Sequence, residues 1–241
     1  MIEIKNTTKV FGKNFKAVDN LNLDIKAGEI FGFLGPNGAG KTTTIKMITG
    51  ITEISAGEIL VDGFSIAKDP IRAKEKLGFV PDDPNVLLRL SGIEYLNFIA
   101  SVYGVNPLLA KERINKYANL FSLEADLQDK IQSFSHGMRQ KLLVIGVLLH
   151  QPSNLILDEP MTGLDPQSAF NLKKVMREYA NEGNTVLFST HVLEVAEKLC
   201  DRIGVINKGK LLFVGTIEEL RDQTKSEQSL EDLFLELTSN A

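Results

Sequence analysis

The sequence predicts an α/β core with an N-terminal antiparallel β subdomain and an inserted α-helical subdomain at about 85–151. Short apolar runs at 29–34, 155–157 and 185–189 are typical of buried strands, and chemically active residue types follow each of them. Alternation over 2–5 and 19–25 indicates half-buried strands, so we expect the first 65 residues to form strands around one helix. Helical spacing of apolar residues dominates from about 91 to 121.

A glycine-rich turn joins the first apolar run to a helix predicted at about 43–50. The segment Gly35–Thr42 matches the phosphate-binding pattern G-x-x-x-x-G-K-[ST] at every fixed position. Backbone N–H groups of such a turn point into a concavity, and the positive end of the helix dipole adds to them. The pattern therefore predicts a P-loop NTPase core, in which Lys41 reaches the β- and γ-phosphates and the Thr42 hydroxyl binds Mg²⁺.

Two later apolar strands end in ionisable side chains. Asp158 and Glu159 follow the first, and in phosphate-loop enzymes such a strand lies beside the loop, its terminal aspartate holding Mg²⁺. Because adjacent strand residues face opposite ways, the two acids need different functions, and Glu159 is placed to polarise an attacking water. His191 ends the next strand, where open α/β sheets bind ligands, and is predicted to act on the γ-phosphate. His150 ends a helix, where we expect it to satisfy that helix's carbonyl groups.

A helix that is apolar almost all round covers Leu142–Leu149 and is predicted to be buried. Ser135 precedes it as a suitable N-cap, with Gly137 close by. A serine and a glycine at the positive end of a helix form a second anion site of the kind that binds phosphate.

Charge and hydropathy limit the classes that fit this chain. Its 241 residues, 43% of them hydrophobic, fit one large globular domain. A net charge of −4 argues against a nucleic-acid partner. The longest strongly apolar run is far shorter than the roughly 18–20 residues of a membrane span, and the N-terminus has no signal-peptide pattern. We expect a cytoplasmic protein with a single domain at 1–220 and a C-terminal helical tail at 221–241.

Taken in order, these motifs resemble the nucleotide-binding subunit of an ATP-binding cassette (ABC) transporter over nearly the whole chain. Gly35–Thr42 resembles the Walker A motif and Leu155–Glu159 the Walker B motif. Ser133–Gln140 resembles the signature motif that only this superfamily carries. Gly163–Asp165 resembles the D-loop, and His191 the switch histidine.

The resemblance implies Mg²⁺-dependent ATP hydrolysis and assigns roles to particular residues. The implied catalytic residues are Lys41, Glu159 and His191, and the implied metal ligands are Thr42, Asp158 and Asp82. The implied ATP contacts are Phe11, which would stack on adenine, Gly35, Pro36, Asn37, Gly38, Ala39, Gly40, Lys41, Thr42, Thr43 and Asp82. The implied contacts to the ATP of a partner chain are Ser135, His136, Gly137 and Met138, and Asp165 would couple the two sites.

The chain departs from the family pattern at three places. The signature contains His136 where the family has glycine, which adds a bulky, titratable group beside the nucleotide and predicts pH-dependent turnover. Asp82 stands where many members carry the Q-loop glutamine, so its reach to Mg²⁺ is shorter. Asn154 and Met161 flank the Walker B motif, where an apolar residue and a threonine or serine are more usual, and we expect little effect from these two.

The resemblance also implies partners. Two copies would face head to tail, with each ATP between Gly35–Thr42 of one chain and Ser135–Gly137 of the other. A separate membrane permease would dock on the helical subdomain and the groove near Asp82, which places the chain on the inner face of the cell membrane.

Several details are similar to the exporter branch, which includes drug, antibiotic-peptide and related ABC-2-type systems. These are the acid after Gly-Phe-Val-Pro, the Ser-His-Gly-Met signature and the Leu-Glu-Asp-Leu-Phe-Leu-Glu-Leu tail. We therefore expect export of an unidentified substrate. An importer subunit is the nearer alternative. A non-transport ABC ATPase acting on ribosomes or DNA is the other, disfavoured by the single cassette, the absence of a heptad run and the negative charge.

Overall fold

The computed structural model describes residues 1–224 together with Phe234 and Leu237. Its strands are β1 Ile2–Phe11, β2 Phe15–Ile25, β3 Ile30–Leu34, β4 Ala56–Val61, β5 Phe64–Ser65, β6 Leu77–Val80, β7 Asn154–Leu157, β8 Thr185–Thr190, β9 Arg202–Asn207 and β10 Lys210–Gly215. Its α-helices are α1 Lys41–Ile48, α2 Pro70–Glu75, α3 Gly92–Val102, α4 Pro107–Leu120, α5 His136–Leu149, α6 Pro166–Asn181, α7 Leu193–Leu199 and α8 Ile217–Thr224. The predicted α/β core with its antiparallel and helical additions is confirmed.

The larger sheet has the strand order β10-β9-β3-β8-β7-β6, and every pair except β9 with β10 is parallel. All residues of β3, β7 and β8 are buried, as is usual where helices cover both faces of a parallel sheet. The strand that precedes Asp158 is not the neighbour of β3, because β8 lies between them. The carboxyl ends of β3, β7 and β8 nevertheless meet at one edge, and this edge carries the candidate site.

The N-terminal strands form the separate antiparallel sheet β2-β1-β4-β5. Leu21, Leu23 and Ile25 are buried on one face, as their alternation predicts. That face packs against α1 and against the larger sheet in one hydrophobic cluster. The packing brings the tip of the β1–β2 hairpin, where Phe11 pairs with Phe15, to the loop that follows β3.

The helical insertion begins after β6 and opens at α3 with the predicted capping box. The Ser91 hydroxyl accepts a hydrogen bond from the Glu94 backbone N–H at 3.3 Å, and the Glu94 carboxylate accepts one from the Ser91 N–H at 2.6 Å. Tyr95 of α3 is buried, whereas Phe98, about one turn further along the helix, is 49% exposed. The aromatic residues of α3 therefore divide between core and surface.

The buried face of α4 differs by one residue from its predicted face. Ile114, Tyr117 and Phe121 are buried as expected, but Leu109 is 38% exposed. Ala110 is buried in its place, because it stands one turn before Ile114 on the same side of the helix. A small residue at this position lets α4 approach the rest of the insertion.

The long helix α5 is buried on nearly all sides from Leu142 onward, as predicted. His150 caps its C-terminus but does not serve that helix's carbonyl groups, so this part of the prediction is wrong. The imidazole stacks on Tyr103 with ring centroids 3.6 Å apart, and Nε2 donates to the carbonyl oxygen of Leu77 at 3.2 Å. His150 therefore joins α5 to β6 and to the end of α3.

The predicted hairpin of β9 and β10 turns at Lys208 and Gly209, as expected. The predicted domain boundary at 220/221 falls inside α8, whose Leu220 is fully buried. Most of the tail predicted at 221–241, including the amphipathic stretch 229–236, lies outside the described residues. Phe234 and Leu237 are described, and they pack on the cluster around β9 and α7. Among the described helices, none has the length and apolar character to cross a bilayer.

Candidate active site

A cavity of about 290 Å³ opens where the loop after β3 meets the β1–β2 hairpin. The residues that line it are Phe11, Phe15, Ala17, Pro36, Asn37, Gly38, Gly40, Lys41, Thr42, Thr43, Asp82 and Glu159. We call this space the loop cavity. Two exposed aromatic rings, Phe11 and Phe15, stand at its hairpin side. Only Phe11 was expected from the sequence, although Phe15 stands opposite it across a short hairpin turn and carries the same kind of ring.

Two glycines of the loop, Gly35 and Gly40, are required by close backbone approaches. A Cβ atom on Gly35 would lie 2.4 Å from the carbonyl oxygen of Ile206 in β9. Gly40, the N-cap of α1, has φ of +112°, and a Cβ there would lie 2.7 Å from the carbonyl oxygen of Ala17. The Ala39 carbonyl oxygen accepts a hydrogen bond from the Gly209 N–H at 2.8 Å. The β2 strand and the β9–β10 turn therefore hold the loop from both sides.

The Lys41 side chain is buried and its ammonium group is fully engaged within the chain. Nζ donates to the carbonyl oxygens of Gly35 at 2.5 Å and Pro36 at 3.3 Å. It also lies 3.8 Å from Oε1 of Glu159. A buried cation needs such partners, since removal from water without them is costly. Thr42 and Thr43 follow in the first turn of α1 and face the cavity.

The two acids after β7 have separate surroundings. Asp158 is 1% exposed and accepts a hydrogen bond from the Ser189 hydroxyl at 2.6 Å. The same hydroxyl accepts from the Glu159 N–H at 3.0 Å, so Ser189 of β8 fixes the end of β7. The Glu159 carboxylate faces Lys41 with one oxygen, and its Oε2 lies 3.0 Å from Nδ1 of His191. Ser189 was expected only as a strand residue, because its contacts with β7 depend on the strand order.

Glu159 occupies the left-handed region of the backbone map, with φ of +47°. This conformation costs a non-glycine residue roughly 1–3 kcal/mol and persists only where the surroundings enforce it. Strain of this kind is concentrated at functional sites. The conformation turns the carboxylate out of the strand direction toward Lys41 and His191.

No cluster of three His, Cys, Asp or Glu side chains that could hold a metal ion occurs in the described part of the chain. A nucleotide-bound Mg²⁺ does not need one, because phosphate and water oxygens supply most of its ligands. Thr42, on the cavity, and Asp158, at the same sheet edge, offer the one or two protein oxygens that such an ion takes. Asp82 also lines the cavity and is exposed.

The signature residues lie apart from the loop cavity and line none of it. The Ser135 hydroxyl caps α5 by accepting from the Met138 N–H at 3.2 Å. His136 is exposed, and Gly137 is half-buried against the segment that contains Gly163. The first turn of α5 thus presents hydrogen-bond donors and a hydroxyl toward the surface. Within α5, Gln140 is 1% exposed, and its side-chain N and O atoms have no hydrogen-bond partner among the described residues.

Asp165 is the N-cap of α6 and is bound from two sides. Its carboxylate accepts hydrogen bonds from the Ser168 N–H at 2.8 Å and the Ser168 hydroxyl at 2.7 Å. Nζ of Lys141 in α5 lies 2.7 Å from Oδ2, the oxygen that also accepts from the Ser168 hydroxyl. The hydrogen bond from Lys141 is the main reason that the pKa of Asp165 lies well below its usual value. Lys141 was not a candidate, and nothing in its local sequence signals this contact.

Asn154, a departure for which we expect little effect, is fully buried at the start of β7. Its amide donates to Oδ2 of Asp62 at 2.9 Å and to the carbonyl oxygen of Lys76 at 3.3 Å. It therefore ties the edge of the parallel sheet to the β4–β5 turn, far from the loop cavity. Asn154 therefore has a structural function, which is to join the parallel sheet to the antiparallel one.

Comparison with known proteins identifies the family. The ABC transporter family model matches residues 18–162. The linearmycin resistance ATP-binding protein LnrL of Bacillus subtilis is 38% identical over 220 residues, which cover 91% of this chain and 70% of LnrL. A solved ATP-binding subunit of an ABC transporter superimposes with a TM-score of 0.94 at 31% identity, covering 98% of this chain and 99% of that one. A solved dimeric bacterial ABC transporter cassette superimposes with a TM-score of 0.81 at 25% identity, and the match covers 90% of this chain and 99% of that one.

The chain therefore belongs to the ABC transporter family, as an ATP-binding subunit that hydrolyses ATP. The fold expected from the resemblance is confirmed, including the helical insertion and the antiparallel sheet.

Proposed function

We propose that Mg²⁺-dependent ATP hydrolysis takes place at the loop cavity, with Lys41, Glu159 and His191 as the catalytic residues. The observation that carries this proposal is the continuous contact from Lys41 to Glu159 at 3.8 Å and from Glu159 to His191 at 3.0 Å. Glu159 orients and polarises the water that attacks the γ-phosphate. Lys41 and His191 stabilise the negative charge that develops on the transferred group.

The loop residues Gly35 to Thr43 bind the phosphates through backbone N–H groups and the dipole of α1. Lys41 exchanges its contacts with the Gly35 and Pro36 carbonyl oxygens for phosphate oxygens when ATP enters. Phe11 stacks on adenine, and Phe15 offers a second ring at the same side of the cavity.

Thr42 and Asp158 hold Mg²⁺, with Asp82 as a further oxygen donor at the cavity. A Mg²⁺ ion held by these oxygens would supply positive charge opposite the phosphates. Ser189 keeps the Asp158 carboxylate oriented, because its hydroxyl donates to that carboxylate while accepting from the Glu159 N–H.

Two chains complete each other's sites in a head-to-tail dimer. The first turn of α5, Ser135 to Met138, faces outward and contributes nothing to its own loop cavity. It therefore supplies its N–H groups and the Ser135 hydroxyl to the ATP bound by the partner. Asp165 couples the two sites. The chain carries both a loop cavity and a first turn of α5, so two copies of it supply every part of both sites. A solved ABC cassette of similar fold is itself dimeric.

The subunit drives export through a separate permease on the inner face of the cell membrane. LnrL, a relative, is a resistance protein, and resistance through a transporter removes the compound from the cell. An apolar groove of about 300 Å³, distinct from the loop cavity, supports the docking of a permease segment. Its apolar and aromatic walls are Ile51, Leu77, Phe79, Tyr95, Ile99, Tyr103, Val147 and His150. It lies beside Phe79, whereas Asp82 lines the loop cavity, so we place the dock there rather than near Asp82.

Glu159→Gln tests the catalytic assignment. The amide keeps the size of the side chain but cannot polarise water, so we expect hydrolysis to fall about 100-fold or more, the usual loss for such a group. ATP binding should persist and the ATP-bound dimer should accumulate in size-exclusion chromatography. Glu182→Gln, at the exposed end of α6, is the matched control and should hydrolyse ATP like the unmodified chain. Normal hydrolysis by Glu159→Gln would refute the role of Glu159.

Affinity capture from detergent-solubilised native membranes tests the transporter role. A polytopic membrane protein should co-purify and stimulate the ATPase. Ile51→Glu places a charge in the groove on a residue that is 61% exposed, and should abolish that co-purification while leaving basal hydrolysis intact. Recovery of ribosomal or DNA-repair proteins without a membrane partner would exclude the transporter role but not the ATPase chemistry.

A further inference from the structure

The first turn of α5 packs directly against the segment 162–165 of the same chain. A Cβ atom on Gly137 would lie 2.4 Å from the carbonyl oxygen of Gly163. A Cβ atom on Gly163 would in turn lie 2.6 Å from Nδ1 of His136 and 3.4 Å from its Cε1. One turn further along α5, Lys141 binds Asp165 at 2.7 Å. Both ends of the 162–165 segment are therefore held by α5.

His136 and Gly163 fit each other at this contact. Gly163 has φ of +75°, which glycine adopts readily and other residues do not. The imidazole covers the position that a side chain on Gly163 would take. With glycine at position 136 this contact would be absent, and the packing at Gly137 and the Lys141–Asp165 ion pair would remain.

We propose that His136 is a positioning residue that seats the 162–165 segment on the first turn of α5. The inference rests on the proposed function, in which both segments face the nucleotide and the loop of the partner chain. His136 then acts through Gly163, by making the signature turn and the D-loop one rigid unit. This differs from the contact to the partner's ATP that the family resemblance implies for position 136.

The two roles predict different kinetics. Loss of a direct phosphate contact weakens ATP binding, so it raises KM. Loss of the His136–Gly163 contact leaves the loop cavity intact and disturbs the alignment of the two chains. It therefore lowers kcat with little change in KM. His136→Asn separates them further, because its amide nitrogen stands close to the position of Nδ1 and keeps the contact with Gly163.

A double-mutant cycle on the full chain tests the proposal. We expect His136→Gly to lower kcat about tenfold, the effect of one contact of ordinary strength, with KM for ATP changed less than about twofold. Gly163→Ala should do the same, because its methyl group displaces the imidazole. The double variant should then lose no more than about the larger single loss, and His136→Asn should recover most of the activity.

The control for backbone strain is Gly183→Ala. Gly183 has φ of +89° and nothing within 4 Å of a Cβ, so this change imposes the same conformational penalty without a clash. Thermal unfolding of the variants then separates the effect of backbone strain from the effect of losing the His136–Gly163 contact. ATP-dependent dimerisation in the Glu159→Gln background should weaken with His136→Gly but not with Gly183→Ala.

Three results would overturn the inference: losses that multiply in the double variant, a rise in KM as the main effect, or no recovery with asparagine. Should Gly163→Ala fail to fold, the comparison of His136→Gly with His136→Asn still decides the question. Normal hydrolysis by Glu159→Gln would refute the proposed function itself. Reduced hydrolysis by that variant together with independent effects in the cycle would refute only the role of His136.

Discussion

The N-termini of α1 and α5 offer the same anion-binding chemistry in different settings. At α1 the cap is Gly40, which has no side chain to satisfy the helix, and the chain's own Lys41 and Glu159 converge on the space in front of it. At α5 the cap is Ser135, whose hydroxyl satisfies the Met138 N–H, and the turn faces outward. The first has a lysine, a glutamate and a histidine in mutual contact, whereas the first turn of α5 has no acid among its residues. The difference supports our proposal that α5 binds a nucleotide held by the partner chain.

The energetic state of the two ends also differs. Near α1, Glu159 is held in a left-handed conformation, and Lys41 is bound to carbonyl oxygens that phosphate would replace. Near α5, the backbone of Ser135 is extended, as is usual for an N-cap. Free energy is therefore stored where the chemistry is proposed and not where the partner's nucleotide is received.

The sharpest test of this comparison is Lys41→Met. Removal of the cation leaves Glu159 and the loop without their charge partner, so we expect ATP hydrolysis to fall about 100- to 1,000-fold. Steady-state phosphate release measures it. Lys46→Met, in the last turn of the same helix and exposed, should retain normal activity. Equal losses in both variants would show that α1 responds to any lost charge.

Ser135→Ala and Ser91→Ala compare two serine caps in one insertion. Each removes a side-chain hydrogen bond to an N-terminal N–H, so each should lower the free energy of unfolding by about 1 kcal/mol in denaturant titrations. Only Ser135→Ala should also reduce the ATPase rate and ATP-dependent dimerisation, since α3 faces no nucleotide in the proposed dimer. Similar ATPase losses in both would mean that stability alone controls activity.

The opposite end of α5 should respond to pH through His150. Burial is the main cause that lowers the pKa of this imidazole below 6.5, so the folded chain favours the neutral form. As pH falls below about 6.5 the unfolded chain binds the proton first, and stability decreases by at most about 1.4 kcal/mol per pH unit, the slope of one proton. His150→Phe keeps a ring on Tyr103 and should flatten this slope in unfolding curves at pH 7.5 to 5.5. An unchanged slope would assign it to other groups.

The smallest effect is expected at Gln140, in the second turn of α5. Its carboxamide is buried without a hydrogen-bond partner among the described residues. Folding therefore removes its hydrogen bonds to water and puts none in their place there. Gln140→Met has a similar shape, and we expect the free energy of unfolding to stay level or rise by up to about 1 kcal/mol. A loss above about 2 kcal/mol in thermal or denaturant unfolding would reveal a partner for this amide.

Much of the site was predictable because its motifs are local. The loop 35–42, the acids at 158 and 159 and the capping box at Ser91 each depend on neighbours within a few residues. Backbone geometry and helix ends follow from such short patterns. The buried face of α4 was nearly right for the same reason, and it failed only at Leu109, where the insertion selects the small Ala110.

The sequence by itself selected the residues that we propose carry the chemistry, since glycine, lysine, acid and histidine types at fixed spacing admit few alternatives. Tertiary structure alone decided that β8 separates β3 from β7, which gives Ser189 its contact with Asp158 and brings His191 to Glu159. It also decided that His150 serves Leu77, that Lys141 binds Asp165 and that His136 covers Gly163. The reason is physical: each of these contacts joins elements far apart in the chain, and their meeting depends on strand order and helix packing, which no local spacing encodes.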